Sequence, residues 1–243
     1  MAIFDVHWNL GGSVVPGVSH NAVSIGAAMT QRGIEGAVLF SSHARDVDTL
    51  AGNRILKAMV GQDERLFACL TTHTNRADKS VAVMRELMPL RRFVGMCVVG
   101  TQLDRPIDRI VGDEILNAYR RYGKPLFLHT PNADCVHAAM AIAKTFTMLK
   151  VVFLGMGGAD WRAAIAAAHA CTNVLLETSG VMDRAKIPAA LEVLGAHRIL
   201  FGSDAPHTDA GAAAGLIEDS DLSEEARSRI LGENARRLFD LDA

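Results

Sequence analysis

Short apolar runs recur along the chain and predict eight β-strands. They begin 23 to 33 residues apart and consist of continuous apolar residues rather than of strictly alternating apolar and polar ones. Runs of this kind are typical of strands that are covered on both faces, as in a parallel sheet. The predicted strands are Ala2–Val6, Glu35–Phe40, Arg65–Leu70, Phe93–Val99, Pro125–Leu128, Val151–Leu154, Val174–Leu176 and Arg198–Phe201.

Helical patterns separate these runs. In Asp113–Tyr122, apolar residues recur at offsets of one, four and seven from Ile115, which places them on one face of a helix. Gly123 then favours the end of this helix. A last helix is expected after the N-cap residue Ser223, with Gly232 dividing it in two. The other predicted helices are Asn21–Arg32, Asp48–Val60, Ala77–Met88, Ala133–Leu149, Ala159–Cys171 and Asp183–Leu194.

A strand followed by a helix, eight times over, predicts an α/β fold, a (β/α)8 TIM barrel. The competing prediction is an open doubly wound sheet. Gly11 and Gly12 follow the first strand but do not form a G-x-G-x-x-G motif, so a dinucleotide site is only weakly indicated. The length of 243 residues suits one TIM-barrel domain over residues 1–243, without linker or second domain.

Charge and composition narrow the classes of partner. The net charge is -2, and no stretch concentrates Lys and Arg, so neither nucleic acid nor an anionic membrane is an expected partner. Apolar stretches such as Ala163–Ala168 are too short to span a bilayer. The first residues do not show the basic segment followed by an apolar segment that is typical of a secretory signal peptide. The four cysteines lack C-x-x-C spacing. We therefore expect a cytoplasmic protein with reduced core cysteines.

Ionisable residues fall at the predicted C-terminal ends of the strands, where such barrels carry their chemistry. The stretch Arg198–His207 is an apolar strand that stops at a small-residue turn and delivers the carboxylate of Asp204. Asp204 either caps this turn, as aspartate often does, or serves a site at the barrel mouth. Five histidines lie at or just beyond such strand ends: His7, His43, His73, His129 and His207.

These strand ends offer ligands for a metal ion. Because side chains alternate along a strand, Asp5, His7 and Asn9 are expected to share one face. Two imidazoles and a carboxylate, from His7, His129 and Asp204, would suffice for a catalytic Zn²⁺ with an open position for water. Taken singly, each is more often a hydrogen-bonded loop residue, so the metal site depends on their convergence.

Five stretches together match the motifs of one enzyme family. They are Asp5–Asn9, Pro125–His129, Glu177–Gly180, Phe201–Pro206 and Ile230–Phe239. On these motifs the chain resembles the amidohydrolase superfamily, specifically its amidohydrolase 2 branch of compact barrels. The resemblance covers nearly the whole chain and is most specific in the C-terminal third.

The resemblance implies a divalent metal, Zn or Mn, with His7, Asn9, His129 and Asp204 in the ligand positions. Two positions depart from the family pattern. Asn9 stands where the family has the second histidine of its first motif, and Gly155 stands where it has a histidine after strand six. An amide oxygen is a poorer partner for zinc than an imidazole nitrogen, so a bound metal and a metal-free site both stay open.

The leading hypothesis is a hydrolase that cleaves a C–O or C–N bond in a lactone, ester or amide of a small carboxylate-bearing substrate. Asp204 would be the general base. His7 and His129 would either hold a metal that activates water or, without metal, stabilise an oxyanion. The residues assigned to catalysis are Asp204, His129 and His73, the last as a substitute proton donor.

The alternative is a non-oxidative decarboxylase or isomerase, which the resemblance also permits. Arg45 and Arg76 would then grip a substrate carboxylate. The missing histidine at Gly155 argues against the usual decarboxylase, and the substitute donors would be His43, His73 or His207. A third hypothesis is a ligand-binding barrel without catalysis.

Further contacts with a small-molecule substrate are expected from an aromatic wall and from polar residues beyond the strand ends. Trp8, together with Trp161, would either supply the wall or simply pack at the rim of the barrel. The polar residues are His43, Arg45, Arg76 and His207. Because barrels of the family are commonly dimers, the resemblance also implies a homodimer.

Overall fold

The structure, a computed structural model, describes residues 2–12, 19–107, 109–183 and 185–241. Within these ranges the strands are β1 (Ile3–Gly12), β2 (Ser19–His20), β3 (Ile34–Ser41), β4 (Leu66–His73), β5 (Phe93–Val99), β6 (Leu126–His129), β7 (Val151–Leu154), β8 (Val174–Glu177) and β9 (Ile199–Leu200). The α-helices are α1 (Ala22–Arg32), α2 (Ser42–Asp46), α3 (Thr49–Val60), α4 (Ala77–Leu87), α5 (Arg109–Tyr119), α6 (Ala133–Thr145), α7 (Trp161–Ala170), α8 (Lys186–Leu194), α9 (Ala210–Glu218), α10 (Glu224–Ser228) and α11 (Asn234–Phe239).

One parallel sheet curls into a barrel. The strand order is β2-β1-β3-β4-β5-β6-β7-β8-β9, and every pairing except the antiparallel β1–β2 pair is parallel. Backbone hydrogen bonds join β1 to the segment that contains and follows β9. Val6 N donates to Phe201 O at 3.0 Å, and Asp204 N donates to His7 O at 2.9 Å. The predicted TIM barrel is therefore confirmed, and the open sheet is excluded.

All eight predicted strands and the helices between them occur in the predicted order. The strand pair β1–β2 and the helices α2 and α9 were not predicted, since β2 and α2 are very short and Gly211 and Gly215 weaken the helical signal of α9. No helix in the described ranges is both long and apolar enough to cross a membrane.

Gly232 lies between two closing α-helices, as expected, but the helical path continues through it. The chain passes from α10 to α11 through one π-helical turn, Arg229–Glu233. A Cβ at Gly232 would overlap the carbonyl group of Ala2. Glycine therefore allows the closing helix to approach the start of the barrel.

Two apolar layers hold the barrel. The inner one fills the barrel interior with side chains from successive strands, such as Phe4, Val38 and Phe127. The outer one packs the helices onto the sheet, as Ile25 of α1 does. Alternate residues of each strand serve the two layers, which explains the continuous apolar runs. The four cysteines are buried and free.

A bulge in β1 changes which of its side chains point to the same face of the sheet. The pairing with β3 shifts register between Asp5 and Trp8. Phe4 and Val6 therefore point into the barrel before the bulge, whereas His7 meets the inner Phe40 ring after it, with ring centroids 4.6 Å apart. The expectation that Asp5 shares a face with His7 and Asn9 is wrong because the inserted residue breaks the alternation.

Candidate active site

A cavity of about 470 Å³ opens at the C-terminal ends of the strands. Its size lies within the range of about 300–1,000 Å³ that is usual for small-molecule sites. Ionisable and hydroxyl residues in its wall come from six separate parts of the barrel. They are His7, Arg45, Asp104, His129, Thr130, Ser179, Asp204 and His207.

Asp204 presents its carboxylate at the mouth, and its side chain is 30% exposed. Its backbone has φ of 59°, in the left-handed region that aspartate tolerates better than most residues. The backbone hydrogen bond from Asp204 N to His7 O fixes this turn against β1. Oδ1 lies 2.7 Å from Asn9 Nδ2 and 3.5 Å from His7 Nε2.

The amide of Asn9 has a fixed orientation. Its Nδ2 lies 2.7 Å from Asp204 Oδ1 and 3.4 Å from the carbonyl oxygen of Ala205. Because both neighbours are acceptors, the nitrogen is the atom that must face them. Asn9 therefore acts as a hydrogen-bond donor to the Asp204 carboxylate.

His7 lies between two acidic side chains. Its Nδ1 is 3.3 Å from Ser179 Oγ and 3.8 Å from Glu177 Oε2, while Nε2 faces Asp204. Burial alone would lower the pKa of His7. The surrounding carboxylates, Glu177 foremost, outweigh burial and raise the pKa above its ordinary value.

His129 has the opposite electrostatic setting. Its ring lies edge-on to His7, with centroids 6.1 Å apart. Burial, followed by the positive charges of His7 and Arg45, lowers the pKa of His129 to about 3. The site thus pairs an imidazole that favours its proton with one that stays neutral, an arrangement that separates acid and base roles.

A family model described as Amidohydrolase matches residues 7–241. The chain belongs to the amidohydrolase family, in the amidohydrolase 2 branch. The comparison with curated proteins finds no match.

Solved structures share the fold of this amidohydrolase over its full length. A 2,6-dihydroxybenzoate decarboxylase from Rhizobium has 18% identity, a TM-score of 0.83, and coverage of 100% of this chain and 99% of its own. A dihydroxybenzoic acid decarboxylase from Polaromonas sp. JS666, with bound manganese and the inhibitor 2-nitroresorcinol, has 16% identity, a TM-score of 0.79, and coverage of 100% and 98%. A putative amidohydrolase from Staphylococcus aureus has 12% identity, a TM-score of 0.80, and coverage of 99% and 100%.

Some residues that we expected at the site of the amidohydrolase lie elsewhere. His43 is exposed on α2. His73 accepts a hydrogen bond from Asn75 N at 3.1 Å and so caps the turn that follows β4. Arg76 donates from Nη1 to Val47 O at 2.9 Å. The described residues that line the mouth cavity do not include these three.

The two tryptophans do not form a wall of the mouth cavity. Trp8 is fully buried on the helix-facing side of β1, opposite His7, and its Nε1 donates to His20 Nδ1 at 2.8 Å. Trp161 stacks against the guanidinium of Arg162, 4.2 Å from the ring centroid. The described lining of the mouth cavity includes neither ring.

Two functional features lacked a predicted role. Glu177 was recognised only as part of a family motif, although its side chain is fully buried beside His7. Leu103, in the loop after β5, lines the cavity, and its sequence context carries no signal of this. Asp5 has a structural position: it accepts backbone hydrogen bonds from His7 and Ser203, and burial raises its pKa to about 7.

The predicted metal ligands do not form a metal site as they are arranged. Among the described residues, no three His, Cys, Asp or Glu side chains come close enough together to hold an ion. Asn9 offers an N–H toward Asp204 rather than an oxygen toward a cation. The residues present, as they are arranged, therefore do not fit a bound metal.

Proposed function

We propose that this member of an enzyme family is a lyase that releases CO2 from a small aromatic carboxylic acid. The observation that carries the proposal is that the guanidinium of Arg45 and the carboxyl group of Asp204 line one cavity. A single small substrate can therefore contact a fixed cation and a proton-transferring acid at once.

Arg45 is suited to hold the carboxylate of such a substrate. Its side chain is 19% exposed, and Nε and Nη2 pair with Asp46 at 2.8 and 2.9 Å. This pair orients the guanidinium from one side and leaves Nη1 outside the pair. Apolar side chains, Leu103, Pro131 and Leu154, supply surface against which an aromatic ring can pack.

The chemistry requires one proton transfer to the substrate and one bond cleavage. Asp204 would take a proton from the protonated His7 ring, whose Nε2 lies 3.5 Å from Oδ1, and deliver it to the ring carbon that carries the carboxylate. The bond to the carboxylate then breaks, CO2 leaves, and the bonding electron pair restores the aromatic ring. The Asp204 carboxylate that results is stabilised by the Asn9 N–H.

Structural similarity supports the same reaction class. Decarboxylases of dihydroxybenzoic acids share this fold over the full length of the chain. Their low identity leaves the substrate of this chain to be argued from the cavity itself.

The test is incubation with a panel of hydroxybenzoates in D2O. We expect CO2 release and one deuterium on the carbon that lost the carboxylate. Asp204→Asn should lower kcat/KM by about 10²–10⁴-fold. Asp209→Asn is the matched control, because Asp209 lies on the surface, paired with Arg32 at 2.8 Å. Unchanged turnover in Asp204→Asn would refute the assignment.

Hydrolysis is a second candidate, favoured by the contact of Asp204 with His7 at 3.5 Å. This pair can take a proton from water and return it to a leaving group when the substrate is an activated ester such as a lactone. Hydrolysis of lactones without CO2 release from any acid of the panel would favour this candidate over decarboxylation.

A further inference from the structure

Glu177 is a buried carboxylate for which the proposed reaction has no role. Its side chain is fully buried at the end of β8, and the described lining of the mouth cavity does not include it. Three donors converge on it: Ser179 N at 2.8 Å, Ser179 Oγ at 2.7 Å and Gly155 N at 3.0 Å. Burying such a group is costly unless its hydrogen bonds are complete, as they are here.

The fold also reserves space for this carboxylate. A Cβ at Gly202, on the neighbouring strand end, would overlap the Glu177 carboxylate. The glycine of the Phe201-Gly202-Ser203-Asp204 motif therefore places Asp204 on one side of His7 while admitting Glu177 on the other. The two carboxyl groups lie against opposite nitrogens of one imidazole.

The direction of the hydrogen bonds determines which of these nitrogens carries a proton. The Ser179 hydroxyl has one hydrogen, and its 2.7 Å bond to Glu177 Oε2 uses that hydrogen because a carboxylate can only accept. Ser179 Oγ can therefore only accept from His7 Nδ1, which lies 3.3 Å away. Nδ1 is therefore the nitrogen that keeps its proton when the ring is neutral, and Nε2, which faces Asp204, is the one that gains or loses a proton.

We propose that Glu177 is a positioning residue: through Ser179 it fixes the orientation and tautomer of His7, so that Nδ1 keeps its proton and Nε2 is presented to Asp204 and the cavity. The inference concerns the same site and rests on the proposed function only for the reaction that His7 assists. A wrong tautomer is known to cost enzymes most of their rate when a histidine exchanges protons with a reacting group.

The experiment is ¹⁵N-correlated NMR of the histidine side chains, with the His7 signals assigned by their loss in His7→Gln. We expect wild-type His7, at a pH at which its ring is neutral, to carry its proton on Nδ1. In Glu177→Gln the side-chain amide can donate to Ser179, so the serine hydroxyl can turn to His7. We expect the Nε2–H tautomer to appear.

Ser179→Ala tests the same link without touching the buried carboxylate, and should give mixed tautomers. Thr178→Ser is the matched control, because it keeps a hydroxyl at the neighbouring position, whose side chain contacts Gly202 rather than His7. Its tautomer should equal that of wild type. In a turnover assay, Glu177→Gln should lower kcat by about 10- to 100-fold with little change in KM.

A wild-type His7 ring that carries its proton on Nε2 alone would overturn the inference. So would a ring that stays doubly protonated up to the highest pH at which the protein is folded, or a tautomer unchanged in both Glu177→Gln and Ser179→Ala. The wild-type NMR measurement needs no substrate. An Nδ1–H tautomer in a protein that releases no CO2 would therefore refute the proposed function and leave this inference standing.

Discussion

Asn9 Nδ2 donates a 2.7 Å hydrogen bond to Oδ1 of Asp204, although 195 residues separate the two in sequence. The amide thereby occupies the carboxylate oxygen that would otherwise turn toward a cation. In the family motif that Asp5–Asn9 resembles, a histidine stands at the position of Asn9, and its nitrogen lone pair can bind a metal.

We predict that Asn9→His gains affinity for divalent metal. Elemental analysis after incubation with Mn²⁺ should approach one metal per chain in the variant and stay well below that in wild type. Added Mn²⁺ should also raise the Tm of the variant, because a ligand that binds only the folded state stabilises it. Asn9→Ala, which removes the amide without adding a ligand, should gain nothing. A wild type that binds as tightly as Asn9→His would contradict the prediction.

Arg45 should hold the carboxylate of the substrate. We predict that Arg45→Gln weakens binding of 2,6-dihydroxybenzoate by about 10- to 100-fold, since hydrogen bonds to charged groups contribute about 1.5–3 kcal/mol. Isothermal titration calorimetry measures this directly. Arg76→Gln is the matched control because Arg76 bonds to the Val47 carbonyl outside the cavity. Equal losses in both variants would assign the effect to general charge instead.

Gly202→Ala should destabilise the protein. The added methyl group would overlap the buried Glu177 carboxylate, and overpacking of this kind costs about 1–3 kcal/mol in the free energy of unfolding. Denaturant titration gives the value. For comparison, Gly215→Ala places its methyl group in open space on α9 and should be neutral or stabilising by up to about 1 kcal/mol. The prediction fails if the two variants are equally stable.

His20 should make stability fall in acid. Trp8 Nε1 donates to His20 Nδ1, and burial lowers the pKa of His20. The unfolded chain therefore binds more protons than the folded one, so stability is full above the ordinary histidine pKa of about 6.5 and declines as pH falls through the lowered folded value. Tm measured between about pH 7.5 and 5 should fall less steeply in His20→Gln than in wild type. Identical slopes would show that His20 does not contribute.

The barrel could be predicted from the sequence because strands covered on both faces leave continuous apolar runs. The cavity residues His7, His129 and Asp204 could be placed for a related reason, since the C-terminal ends of parallel strands meet at one edge. Arg45 and His207 also line the cavity as expected. These predictions need only the order of the strands.

The remaining features depend on contacts between distant parts of the chain. The bulge that turns Asp5 away from His7 is set by pairing with β3, and the burial of Glu177 depends on the space left by Gly202. Histidine and arginine are residue types that often occur in active sites. The side chains of His73 and Arg76, however, form hydrogen bonds with the backbone of Asn75 and of Val47. Sequence spacing carries no record of such bonds.

The hydrogen bond between His7 O and Asp204 N joins the first strand to the segment that follows the last one. The site therefore lies where the barrel closes. A molecule that binds to both residues should stabilise this closure. Occupancy should therefore slow proteolysis of β1 and of the segment after β9 together.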